Sequence, residues 1–267
     1  MWVQRLPPPI RWTRSSTILF SGFLLIIFLI IYVWWPLAQE VFSQIDWKGP
    51  WWLYLDWLLI GNFLFMSLTI VARADLRADA LILLVATIGG LVIEAWGTQT
   101  NLWIYYTNER PPLWIIPAWP IATLSINRMT QALSYFLPAD RPKVYRICYW
   151  ITFAVFSGLM LIFVAPTFDK PYTIMALLLC ALVLLTPTDE RFTLLLFLSG
   201  ASLGYFLELW GTTRGCWIYY THETPPLFAV LAHGMAAVVF WRTGLLLKLF
   251  AHKLRGMVFS PRGLEGN

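Results

Sequence analysis

Two glutamates, Glu94 and Glu208, stand at the head of two near-copies of one sequence. Glu94–Arg128 recurs as Glu208–Arg242, offset by 114 residues without a gap, and 16 of the 35 aligned positions are identical. Each copy reads Glu-x-Trp-Gly-Thr, four variable residues, Trp-Ile-Tyr-Tyr-Thr, then x-Glu-x-Pro-Pro-Leu. Membrane helices usually drift by exchanging one apolar residue for another. Here a carboxylate, aromatics, glycine, proline and arginine are retained, so the repeat keeps chemistry as well as hydrophobicity. A carboxylic acid near the edge of a hydrocarbon layer is tolerated when it is protonated, paired or facing a wet cavity. A proton held there suits general-acid chemistry, and a second acid at the matched position offers the base. Asp56 is a third acid expected at similar depth, one to two turns into its helix. A competing structural reading has each Glu tying down its own loop, through the Thr98 or Thr212 backbone or through nearby Tyr hydroxyls.

The loops after the glutamates supply aromatic partners. Trp96, Trp103, Tyr105 and Tyr106 in the first copy match Trp210, Trp217, Tyr219 and Tyr220 in the second. Trp and Tyr at this level fit the interfacial aromatic belt of a membrane protein. The belt does not account for the order Trp-Ile-Tyr-Tyr-Thr occurring twice, whereas a re-entrant or lid-like loop over a cleft does. Gly97 and Gly211 suit a positive-φ turn at a helix C-terminus. The paired prolines suit an extended approach to helices beginning at Leu113 and Leu227. Arg128 and Arg242 fall about 15 residues further on, roughly 22 Å at helical rise, too deep to meet the glutamates directly. They read as snorkelling side chains, as a headgroup-binding pair, or as charge partners for a buried acid. His233 aligns with Trp119 and His222 with Asn108, so neither histidine is duplicated. His233 reads as a packing residue and His222 as a weaker acid–base candidate.

These residues need a frame, and composition indicates which. The chain of 267 residues is 59% hydrophobic and only 12% charged, unlike a soluble domain of this size. Apolar runs of about 20 residues, the length that crosses a bilayer, recur throughout. The expectation is an all-α, polytopic membrane protein of about eight transmembrane helices, at 16–36, 51–71, 79–97, 113–136, 146–165, 172–187, 192–210 and 226–249. The first run reads as a retained helix instead of a cleaved signal. The 114-residue offset spans four helices. It therefore implies two parallel four-helix repeats, 1–136 and 137–267, about a pseudo-twofold along the membrane normal. The first pair of helices in each half shows no clear identity at this offset. Pro7, Pro8 and Pro9 and the last dozen residues read as loosely ordered.

Basic residues set the orientation. With the N-terminus cytoplasmic, inner segments collect thirteen, including Arg5, Arg11, Arg77, Arg141, Arg191 and Arg262, against four in outer loops (Lys48, Arg110, Lys170 and Arg214). Both termini are thereby expected in the cytoplasm, in a bacterial-type inner (plasma) membrane. This topology accounts for the net charge of +5 without any nucleic-acid partner. Cys148, Cys180 and Cys216 have no metal-like spacing, and no motif for a metal or cofactor is present, so none is expected.

The first copy resembles membrane carotenoid-biosynthesis proteins of the carotenoid hydratase type (bisanhydrobacterioruberin hydratase-like). Glu94, Gly97, Thr100, Trp103, Tyr105, Tyr106, Pro117 and Pro120 carry the resemblance, as do Glu208, Gly211, Gly215, Trp217, Tyr219 and Tyr220 in the second copy. The family's Thr-Gly becomes Thr100-Asn101 and Arg214-Gly215, and its glycine after the aromatic becomes Ile104 and Ile218. The resemblance implies a polyene or isoprenoid substrate dissolved in the bilayer. Glu94 and Glu208 would be acid and base, with Tyr105 and Tyr219 orienting them or relaying protons. The substrate would lie against Trp96, Trp103, Tyr106, Trp210, Trp217, Tyr220 and Asp56. Protonation of a C=C bond, then capture of the cation by water or by another alkene, gives hydration or cyclisation without a cofactor. Two further readings remain at this stage: a non-catalytic subunit of an energy-transducing or pigment-binding membrane complex, and a proton-coupled transporter.

Overall fold

The computed structural model describes residues 12–258, with side-chain surroundings through residue 254. Arg5, Arg11, Arg262, the Pro7–Pro9 run and the final residues lie outside the described residues. The described chain is helical apart from one two-stranded ribbon. The helices are α1 (Arg14–Val33), α2 (Trp35–Ser43), α3 (Trp57–Val71), α4 (Leu76–Gln99), α5 (Ala118–Phe136), α6 (Pro142–Val164), α7 (Pro171–Leu185), α8 (Glu190–Thr213) and α9 (Leu227–Val258). A helix stands at each of the eight expected segments, and α2 is an addition. Five stretches are long and apolar enough to cross a membrane: Arg14–Val33, Leu76–Gln99, Pro142–Thr167, Glu190–Thr213 and Leu227–Leu254. Large apolar side chains such as Leu25, Phe28, Ile162, Leu182 and Leu249 lie exposed along the outer surface. Lipid, not water, is the solvent that suits such a surface, and the chain is an integral membrane protein.

Local chemistry fixes the helix ends. Thr13 and Ser16 form a capping box on α1, satisfying backbone donors that no helix can satisfy itself. Asp75 caps α4 and Asp189, its match at the 114 offset, caps α8. Both helices run 24 residues. Each ends in a C-cap, Thr100 or Arg214, and the residue after the cap lies in the left-handed region, Asn101 (φ 59°) and Gly215 (φ 66°). Leu102 N–H then reaches Gly97 O and Cys216 N–H reaches Gly211 O, both at 2.9 Å, which closes a Schellman turn. This corrects the expectation for Gly97 and Gly211. They lie inside their helices, and the positive-φ turn falls four residues later. Helix α5 also starts later than expected, at Ala118, with Pro117 as its N-cap and Pro120 in its first turn, where a missing N–H does no harm.

Helices α4, α5, α8 and α9 pack on one another as an inner bundle, with α1 and α3 against the α5 side, α6 against α8 and α7 against α9. Close approach of α8 and α9 depends on Gly200 and Gly234. A Cβ on Gly200 would sit 2.7 Å from Gly234 Cα, so side chains are excluded at this crossing. Within the bundle Arg128 of α5 meets Asp79 of α4, Nη2 to Oδ2 at 2.5 Å, and its Nε donates to Ala72 O at 2.9 Å. Arg128 is thus the charge partner of a buried acid. Arg242, its counterpart, has Thr193 where Asp79 would be and donates to Thr186 Oγ1 instead, at 3.2 Å.

Candidate functional site

The two aromatic loops meet as strands β1 (Trp103–Tyr105) and β2 (Trp217–Tyr219), paired antiparallel with Ile104 opposite Ile218. Trp103 therefore faces Tyr219, and Tyr105 faces Trp217. The ring centroids are 5.8 and 5.7 Å apart. Side chains alternate across a strand, so the central isoleucines point outward while the four aromatic side chains turn toward the helices; Ile104 and Ile218 are exposed and Tyr105 and Tyr219 buried. The loops thus pair with each other as a short two-stranded ribbon over the helix ends.

Beneath the ribbon both glutamates are buried. Glu94 Oε2 accepts from Trp103 Nε1 at 3.1 Å, and Oε1 accepts from Tyr105 Oη at 3.0 Å and from Trp119 Nε1 at 3.1 Å. Glu208 repeats the pattern: Oε2 accepts from Trp217 Nε1 at 2.9 Å, Oε1 accepts from Tyr219 Oη at 2.9 Å, and Oε1 lies 2.9 Å from His233 Nε2. Hydrogen bonds to a charged group contribute about 1.5–3 kcal/mol each, so three donors offset much of the cost of burying a carboxylate. The third partners, Trp119 and His233, occupy matched positions and stack on each other, centroids 5.6 Å apart at 19°. The two carboxylates are thereby joined through a pair of stacked rings. Burial, and the Glu94 carboxylate next to it, raise the Tyr105 phenol well above its ordinary value. Burial and Glu208 do the same for Tyr219.

Glycines make room for these rings. A Cβ on Gly97 would fall 1.9 Å from the Trp103 ring, and one on Gly211 would fall 2.0 Å from Trp217. Gly90 and Gly204, again 114 residues apart, do the same for Trp119 and His233, with Cβ contacts of 2.4 and 2.6 Å. Neither this second glycine pair nor the role of Trp119 and His233 stood out in the sequence. The glycine match lies four residues upstream of the repeat as first delimited, and Trp and His do not align as identical.

Both carboxylates lie on the wall of one cavity of about 950 Å³, otherwise overwhelmingly apolar and bounded by residues of α1, α3, α4, α5, α6, α7, α8 and α9. Trp96, Trp103, Trp210, Trp217, Tyr105 and Tyr219 also line it. Of the other candidates, Asp56, Tyr106, Tyr220, Arg128 and Arg242 are placed off the cavity wall. Trp96 and Trp210 use their N–H groups as struts to the other half, to Thr173 Oγ1 at 3.0 Å and Asp56 Oδ2 at 2.8 Å. Asp56 is the N-cap of α3, not a residue one to two turns inside it, and also binds Arg214 Nε at 3.0 Å. It braces α3 against α8 and does not line the cavity. Tyr106 donates to Val33 O at the end of α1, and Tyr220 donates to Phe163 O near the end of α6. Those hydroxyls anchor the ribbon. Thr98 and Thr212 hydroxyls bond the backbone carbonyls of Glu94 and Glu208, not their carboxylates.

Comparison with protein-family models, with curated proteins and with solved structures gives no match to this chain.

Proposed function

We propose that this protein is an intramembrane enzyme that modifies an isoprenoid or carotenoid, using its paired carboxylates for acid-catalysed hydration or cyclisation of a C=C bond. One observation carries the reading: Glu94 and Glu208, each held by an indole and a phenol, share the wall of a single apolar cavity. A long hydrocarbon fits the volume and polarity of that cavity. A cation formed on it would lie among aromatic faces and beside a carboxylate, both of which stabilise positive charge. In this reading the chain crosses the bilayer eight times, as two parallel repeats: α1, α3, α4, α5 and α6, α7, α8, α9. The equal 24-residue lengths of α4 and α8 and the matched anchoring of Tyr106 and Tyr220 support this. The bias of basic residues supports cytoplasmic termini in a bacterial-type inner membrane.

The test is turnover of all-trans lycopene in lipid nanodiscs by the wild type, Glu94→Gln, Glu208→Gln and the double variant. Loss of product in the double variant supports the reading, and undiminished turnover there removes it. A second reading, a pigment-binding subunit of a larger membrane complex, is favoured by the saturation of both carboxylates with donors. Stoichiometric co-purification with other chains from native membranes would support it.

A further inference from the structure

We propose that the two carboxylate sites do different work: His233 delivers the proton and Glu208 positions His233 and balances its charge, whereas the Glu94 site, with an indole in place of the imidazole, delivers none. This rests on the reading above and assigns roles within the same cavity.

The basis is the one exchange in an otherwise matched pair of sites. Around Glu94 the partners are two indoles and a phenol. An indole N–H donates and never accepts, so a proton placed on Glu94 has no basic neighbour to receive it. Around Glu208 an imidazole replaces one indole. Imidazole is the side chain suited to carrying a proton near neutral pH. A carboxylate and an imidazolium together have no net charge, so that pair holds a transferable proton in an apolar cavity without burying an unbalanced ion. His233 Nε2 is engaged by Glu208 Oε1, which leaves Nδ1 as the ring nitrogen on hand for a ligand, and His233 itself lines the cavity. The groups facing His233 are Glu208 from α8 and Trp119 from α5, with Tyr219 of β2 sharing Glu208 Oε1. Glu94 and Tyr105 lie beyond the Trp119 N–H.

The step balances without any oxidant or reductant. The Nδ1–H bond breaks with its electron pair left on nitrogen, and the alkene π pair forms the new C–H bond. The adjacent carbon becomes the cation. Water adds through an oxygen lone pair and its surplus proton returns to Nδ1, or an internal alkene attacks and a neighbouring C–H proton returns to Nδ1. Glu208 touches the imidazole and not the reacting carbon, so it is a positioning residue.

Two measurements on the full chain in nanodiscs test this. The first is ¹⁵N NMR of the His-labelled protein at neutral pH, where only three histidines contribute. His233 is expected as an imidazolium that becomes neutral in Glu208→Gln and is unchanged in Gly158→Ala, whose added Cβ meets nothing within 4 Å. A neutral His233 in the wild type, or one indifferent to Glu208→Gln, overturns the proposal. The second is deuterium incorporation into lycopene in D₂O. His233→Gln, which keeps a donor toward Glu208, is expected to lower incorporation about 100-fold or more, the usual scale of a lost general acid. His233→Trp recreates the partner found at Glu94, and Gly204 stands under residue 233 as Gly90 stands under Trp119. It is expected to be equally inactive, and near wild-type incorporation in either variant overturns the proposal. Absence of incorporation by the wild type would count against the isoprenoid reading, while the NMR result still decides the charge assignment.

Discussion

Gly97→Ala is the substitution in which the smallest chemical change should have the largest structural effect. The added Cβ would lie 1.9 Å from the Trp103 ring, against which no rotation of a methyl group helps. The indole must leave its seat on α4. Displacement of this kind costs about 1–3 kcal/mol as overpacking. It also removes the Trp103 bond to Glu94 Oε2, a further loss of about 1.5–3 kcal/mol for a charge-assisted hydrogen bond. The helix-propensity gain of alanine over glycine, about 1 kcal/mol, works in the other direction. The net expectation is a loss of roughly 1.5–5 kcal/mol, or about 3–20 °C in Tm for a chain of this size. Gly158→Ala in α6 is the control, because its Cβ meets nothing within 4 Å. That change should leave Tm level or raise it slightly. The assay is thermal unfolding in one detergent or nanodisc preparation, followed by circular dichroism. Equal Tm values for the two variants would refute the seating of the indole and, with it, the account of how Glu94 is held.

Further outcomes follow from the same structure. Asp79→Asn leaves Arg128 buried without its counter-charge and should cost about 3–5 kcal/mol. Replacing both residues with apolar side chains of similar size should cost much less, as a double-mutant cycle by denaturation would report. Asp56→Ala removes the α3 cap and the partner of Trp210 and Arg214. It should destabilise by about 1–2 kcal/mol on the scale of a lost cap, measured as thermal unfolding in the same preparation. Tyr105 and Tyr219 titrate well above the ordinary phenol value, so the folded state holds their protons where the unfolded chain, with phenols near pH 10, releases them. The stability they contribute is complete below that value and declines as pH rises beyond it. Tyr105→Phe should flatten that alkaline decline in a Tm-against-pH series.

Much of the frame is legible in the sequence because lipid imposes long apolar runs, and among the described residues eight of the nine α-helices fall where those runs predict. The correspondence of the two loops is legible too, since Trp-Ile-Tyr-Tyr-Thr occurs twice at one offset, but their pairing as strands is not. What escapes is the part of the site built from unlike residues. Trp119 and His233 do the same geometric job with different chemistry, so identity does not flag them. Asp79 has a threonine as its counterpart, so a search for duplicated chemistry passes over the acid that Arg128 binds. Asp56 reads as an intramembrane acid because hydrophobicity continues on both sides of it. In the structure Trp51–Tyr54 form a 3-10 turn and α3 begins only at Trp57, which makes Asp56 a cap. Gly97 and Gly211 sit so near the helix ends that a turn was the simpler expectation, although the ring packed on each of them comes from the following loop.

The central claim is that Glu94 and Glu208 overlook a cavity made for an isoprenoid chain. Its most direct test is to isolate the protein from its native membrane, extract it, and identify the bound lipid by absorbance and mass spectrometry. The account expects an isoprenoid or carotenoid enriched toward one per chain and lost when Ala232 on the cavity wall is replaced by Trp. Only bulk phospholipid in the proportions of the surrounding membrane, unchanged by that substitution, would contradict it.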